Sequence, residues 1–165
     1  MKKISVLLAV LLVGAFFLMA LGSGNSETTD QGSGNAAAQG ESNKVGDYSV
    51  EIVSCRLAKD YEGKPVAIVK YNFKNISDDD SGAFSWKCED TVYQNGVGLN
   101  ESYVVEESAN YDSANQTKEI KKGASVEVEV AYVLNDTTTD LEVEVKALFS
   151  FTDNNVLKKT FKIAE

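Results

Sequence analysis

From Val45 onward apolar and polar positions alternate with a period of two, and clusters of turn-forming residues separate the runs. Val126, Val128, Val130, Tyr132 and Leu134 fall on one side of such a run, with Glu127, Glu129 and Ala131 on the other. Leu141, Val143, Val145, Ala147, Phe149 and Phe151 repeat the pattern against Glu142, Glu144 and Lys146. Both runs predict strands with one buried and one wetted face, neighbours in a single sheet. Tyr48 to Leu57, Val66 to Phe73, Phe84 to Glu89 and Val156 to Ile163 read as further strands, with Ala67, Val69, Tyr71 and Phe73 forming an inward row. Asn95-Gly96, set between Val92-Tyr93 and Val97, is the dipeptide of a type I′ hairpin, in which both central residues need positive φ. Glu62-Gly63-Lys64-Pro65 and Asp153-Asn154-Asn155 are turn sequences of the same kind.

About seven or eight short strands with no long helical pattern predict an all-β fold, an immunoglobulin-like antiparallel β-sandwich over residues 45–165, with a small barrel as the alternative. The stretch from Gly98 to Lys118 is the least patterned and reads as a long crossover or a function-bearing loop.

The first residues follow another rule. Lys2 and Lys3 precede Ile4 to Leu21, 18 residues without a charge, the layout of a signal peptide. As a hydrophobic helix this run would span roughly 27 Å, also enough for an uncleaved signal anchor. Ala20-Leu21-Gly22 places small residues three and one before a cut between Gly22 and Ser23, and cleavage there is the preferred reading of residues 1–22. Positive charge before the apolar run and none after it until Lys44 places the rest of the chain outside the cytoplasm. Residues 23–44 contain no large apolar side chain and read as a disordered polar linker.

Composition narrows the chemistry. The chain is 43% hydrophobic and 9% aromatic, enough to build a core without a metal or dense disulfides. Setting Lys2 and Lys3 aside leaves 14 basic against 25 acidic residues, a net charge of −11 that argues against nucleic-acid binding. The sequence contains 0 histidines, which excludes Ser-His-acid and Cys-His catalysis and His-ligated metals.

Few residues remain as candidates. Cys55 and Cys88 are the two cysteines; strand parity turns Cys88 inward and places Cys55 inward if a bulge near Ile52 resets the parity. They read either as a disulfide joining the sheets or as two separate buried thiols. Trp86 shares parity with Phe84 and Cys88 and is expected in the core. Tyr103 and Tyr111 lie in the unpatterned stretch and are the candidate surface contacts. Asp78, Asp79 and Asp80, with Glu106 and Glu107, lack the spacing of a calcium loop, and a solvated turn is expected. No cofactor or catalytic signature is present in the sequence.

Gly46-Asp47-Tyr48, Leu57 to Pro65, Tyr71 to Asn75, Tyr93 to Val97, Ile120 to Ala124 and Ala131 to Leu134 carry a further signal. Together they resemble an uncharacterised immunoglobulin-like domain of Gram-positive surface lipoproteins. The resemblance spans most of Gly46 to Ile163 and implies a fold and a location outside the cell, with no functional residue to carry over. Such lipoproteins end the signal with a small residue and then a cysteine that accepts lipid. Here Gly22 is followed by Ser23, which has no thiol for that step.

The function expected from these readings is that of a non-enzymatic interaction or adhesion module. Its partner would be a protein or an envelope polymer, with membrane contact through the N-terminal segment if that segment is uncleaved. Glycan binding through loop aromatics is the alternative, and a hydrolase built on paired carboxylates is the third class.

Overall fold

The structure, a computed structural model, describes residues 43–78, 81–103, 105–149 and 155–163, all within a compact unit spanning Ala37–Glu165. The strands are β1 (Lys44–Val45), β2 (Tyr48–Lys59), β3 (Pro65–Asn75), β4 (Cys88–Gln94), β5 (Val97–Gly98), β6 (Ser125–Val133), β7 (Leu141–Ala147) and β8 (Leu157–Phe161), with a helical turn α1 (Phe84–Lys87) before β4. They form two antiparallel sheets of 4 strands, in the orders β1-β2-β3-β6 and β5-β4-β7-β8. The apolar rows of both face inward onto one shared core, and the fold is the expected sandwich.

Alternation places the core. Ala67, Val69, Tyr71 and Phe73 of β3 are fully buried against Val128, Val130 and Tyr132 of β6 and Leu141, Val143 and Val145 of β7. Each large side chain buried in this way contributes about 1.5–3 kcal/mol relative to exposure. Phe84 from α1 completes the packing, stacked on Tyr71 at 5.0 Å and edge-on to Phe73 at 5.7 Å between ring centroids. The expected reset in β2 occurs as a shift in pairing with β3 between Ile52 and Ser54. The β4–β5 hairpin turns through Asn95 at φ 50° and Gly96 at φ 75°, the positive pair that a type I′ turn requires.

Three expectations are corrected. β6 and β7 are not sheet neighbours: β6 closes the first sheet beside β3, and β7 lies in the second between β4 and β8. The connection between them crosses from one sheet to the other. It is held by the buried Gln94, whose amide nitrogen donates to the carbonyls of Asp136 and Thr139 and whose oxygen accepts from Asn135 N. The run from Phe84 starts as the helical turn α1, so a period near 3.6 replaces the period of two and Trp86 points outward, 57% exposed. Phe149, expected in the inward row of β7, lies beyond the strand's end at Ala147 and is 81% exposed. The apolar run 4–21, the Gly22–Ser23 junction, the linker up to residue 42, Asp79, Asp80, Phe151, Asp153 and Asn154 fall outside the described residues.

Candidate functional site

The segment following β5 runs along the outer edge of β6 and over the outer face of the first sheet. An edge strand presents unpaired amides and carbonyls, and here each described partner is a loop group. Asn100 O accepts from Val133 N at 2.9 Å, and Ser102 N donates to Ala131 O at 2.7 Å. Gln116 donates its side-chain amide to Glu129 O at 2.6 Å and to the Tyr111 hydroxyl at 3.0 Å, and the Asn115 amide reaches Glu127 O at 3.0 Å. Burial raises the pKa of the Tyr111 phenol, opposed by hydrogen bonds from Gln116 and from the backbone of Ala131. Tyr111 is therefore half-buried and committed to sealing this edge.

The same segment buries apolar surface. Val105 packs on Val66, Ile68 and Ala131, a second small core on the face of β3 opposite the main one, with Ala58, Ala109 and Tyr111 around it. An ion pair closes it: Arg56 of β2 grips Glu129 of β6 with two bonds of 2.5 and 2.9 Å and also donates to Ala109 O. The sequence signal was the unbroken run Val66-Ala67-Ile68-Val69, the mark of a strand buried on both faces.

Tyr103 behaves differently. It is 82% exposed, and its hydroxyl is engaged by Glu101. It borders two surface hollows. One, of about 390 Å³, also touches Tyr61, Val105, Glu106, Asn110 and Tyr111. The other, of about 440 Å³, touches Asp90, Thr91, Asn100, Glu101 and Tyr132. Tyr61, in the turn between β2 and β3, is 68% exposed and was not singled out in the sequence, because only the fold brings it beside Tyr103.

Behind the second hollow lies a polar cluster. Asp90 of β4 faces inward and accepts the Tyr132 hydroxyl of β6, a link from one sheet to the other. Burial raises the pKa of Asp90, and the hydroxyls of Tyr132 and Tyr71 oppose that rise. The fully buried Tyr71 hydroxyl feels Asp90 and Tyr132 electrostatically yet makes no hydrogen bond of good geometry. Asp90 and Glu101 thus border one hollow, the juxtaposition a carboxylate-based enzyme would need, but the Asp90 carboxylate is engaged by a core tyrosine.

The remaining candidates are dispersed. Cys55 and Cys88 are free thiols, pushed by burial up to about 11 and about 12. The disulfide weighed from their parity is not formed, for a geometric reason. Cys88 pairs with Ala147, whose side chain abuts Gly46, two residues before β2 begins at Tyr48, whereas Cys55 lies seven residues beyond Tyr48 along that strand. At ~3.3 Å per residue the two are about 20 Å apart, against a usable Cα separation of about 7 Å at most. Asp78 is exposed and paired with Lys122, and no group of three potential metal ligands occurs among the described residues. Among those residues no helix is long and apolar enough to cross a membrane.

With this geometry in place, comparison with known proteins settles the kinship. The sequence profile of DUF5067, described as a domain of unknown function, matches residues 24–147. The chain belongs to the DUF5067 family. No curated protein sequence matches it. Among solved structures, a predicted lipoprotein from Bacillus subtilis aligns at a TM-score of 0.54 and 19% identity, covering 74% of this chain. The chain spans only 39% of that protein's length. A predicted lipoprotein from Staphylococcus aureus aligns at a TM-score of 0.52 and 19% identity over 73% of this chain and 91% of its own. At such identity the likeness speaks for the DUF5067 fold, and it agrees with the family resemblance read from the turn and strand motifs.

Proposed function

We propose that this DUF5067 protein is an exported cell-envelope protein whose sandwich serves as a non-enzymatic interaction module, engaging its partner at the face where Tyr61 and Tyr103 stand exposed. The export signal read from Lys2, Lys3 and the apolar run supports the location, as do structural neighbours described as lipoproteins. One observation carries the choice of face: Tyr103, 82% exposed, lies between two hollows lined by polar groups, while Tyr111 on the same segment is consumed by edge sealing. Exposed tyrosines offer flat apolar area at low entropic cost. The composition of the second hollow favours glycan as one partner class, since Asn100, Thr91 and Glu101 present amide, hydroxyl and carboxylate groups to sugar hydroxyls beside an aromatic face.

The test is retention of the exported protein on isolated envelopes, comparing the wild type with the Tyr61→Ala/Tyr103→Ala double variant. Loss of two aromatic contacts should weaken retention about tenfold. Unchanged retention overturns the assignment of this face. Prior protease treatment of the envelopes separates the partner classes, because retention on a glycan survives it.

A further inference from the structure

We infer that the outer edge of β8 is a docking site for an extended segment of another protein that alternates carboxylate and apolar side chains. The inference rests on the backbone of the second sheet and is independent of the tyrosine face.

The ladder fixes which groups of β8 are free. Leu99 N bonds to Val92 O and Leu148 N to Lys87 O, so even-numbered residues of β4 face β5 and odd-numbered ones face β7. Carried through the registers Thr91↔Glu144 and Val143↔Lys159, this alternation turns Leu157, Lys159 and Phe161 toward β7. The amides and carbonyls of Lys158 and Thr160 therefore point away from the sheet. Among the described residues no strand pairs with that side of β8. In the first sheet the outer edge of β6, equally unpaired by strands, has its groups taken up by Asn100, Ser102, Asn115 and Gln116.

The side chains indicate what fits. Lys158, Thr160 and Lys162 share the outer face, and between Asn155 and Ile163 the sequence has three lysines and no carboxylate. Across the sheet the sign of the charge alternates: Glu142 and Glu144 on β7 pair with Lys158 on β8. An added strand with carboxylates on this face continues the alternation, as Lys70 of β3 already does with Glu127 of β6. A second copy of the chain would set lysines against lysines, which disfavours it as the occupant. On the other face Lys159 holds its ammonium over the Phe161 ring, 5.1 Å from the centroid, and donates to Ile52 O and Val53 O at 2.7 and 2.9 Å, closing the core between the two sheet edges. Beside it lies a groove of about 280 Å³ with a mixed wall, in which Asn43, Glu51 and Asn155 stand beside Val156 and the buried Val50 and Ile52; the inward residues of the added strand would meet this wall next to Phe161.

The experiment uses the ¹⁵N-labelled full chain in detergent micelles and two synthetic peptides, Val-Glu-Val-Glu-Val and Val-Lys-Val-Lys-Val, with blocked ends. The acidic peptide should shift the amides of Lys158, Thr160 and Lys162, bind about tenfold more tightly than the basic one at low salt, and weaken as salt is raised. Thr160→Pro removes an outward amide and no ladder bond, so it should abolish these shifts while leaving the rest of the spectrum intact. N-methylation of the acidic peptide should do the same without altering the protein. Equal affinity for both peptides, shifts confined to the Tyr61–Tyr103 face, or a concentration-dependent dimer that protects Thr160 in the absence of peptide would each overturn the inference.

Discussion

The edge of β6 and the edge of β8 are the same problem solved in opposite ways. Along β6 the stretch from Gly98 to Lys118, which has no strand pattern in its sequence, supplies two backbone groups and two side-chain amides to the outward groups of the strand, and adds a small core over the neighbouring sheet face. Along β8 the outward groups of Lys158 and Thr160 meet no described strand, and lysines stand guard. The difference shows that polar loop sequence does not by itself mean freedom. Asn115 and Gln116 look like loop residues and act as rungs of a ladder. Ordering such a segment costs conformational entropy, and here the burial of Val105, Ile68 and Val66 offsets it.

The largest expected effect tests whether the covered face is a core. Ile68 is fully buried on the side of β3 that an ordinary half-buried strand gives to solvent. Ile68→Ala should lower the unfolding free energy by about 2–4 kcal/mol in urea titrations, as for an interior cavity. A loss of only a few tenths would mean that the loop lies loosely over β3, and the contrast between the two edges would fail.

That second core marks how far the sequence could be read. Period-two alternation located β6, β7 and the inward row of β3, because burial on one face leaves a regular trace, and the Asn95-Gly96 dipeptide located the hairpin through its need for positive φ. It misplaced Trp86 because a single helical turn shifts the phase and has no pattern of its own at four residues. Sheet membership of β6 and β7 was illegible, since antiparallel strands joined by a short loop pair within a sheet or cross between sheets with the same alternation. For the candidate site, Tyr103 and Tyr111 look alike in sequence. What separates them is a hydrogen bond to Gln116 and packing on Ala131, both of which exist only after folding.

A middle-sized effect comes from the ion pair that locks the sealed edge. Glu129 resists ionisation through burial, but the hydrogen bonds from Arg56 and the backbone of Asp112, with the nearby Arg56 charge, win and hold its carboxyl below the usual value of 4.5. A depressed folded value means that its stabilisation is present above about pH 4.5 and fades as pH falls through the folded value. Arg56 keeps 38% of its side chain exposed, so solvent screens the pair, and Glu129→Gln should cost about 1 kcal/mol at neutral pH. The gap between wild type and variant should close on acidification. Asp90 has the opposite sign, because burial raises its value above 3.8 and its contribution is lost as pH rises through the folded value. A gap that widens in acid would show that Arg56 and Glu129 do not hold the loop together.

The smallest effect on stability, and the sharpest contrast, is at the backbone. Hydrogen exchange of the full chain in micelles should find the amide of Val133 protected, since it bonds to Asn100 O. The amide of Thr160, directed away from β7, should exchange at close to the rate of an open chain, although both strands lie in the same cooperative fold. Thr160→Pro should accordingly change the unfolding free energy by no more than about 0.5 kcal/mol, as proline does on the solvent side of an edge strand. Gln116→Ala works on the other edge without touching a strand: it frees Glu129 O and the Tyr111 hydroxyl, and should raise exchange at Ala131 about tenfold. Comparable protection at Thr160 and Val133 in the free protein would mean that β8 is covered in the absence of any partner, and the asymmetry between the two edges would then lie in what does the covering.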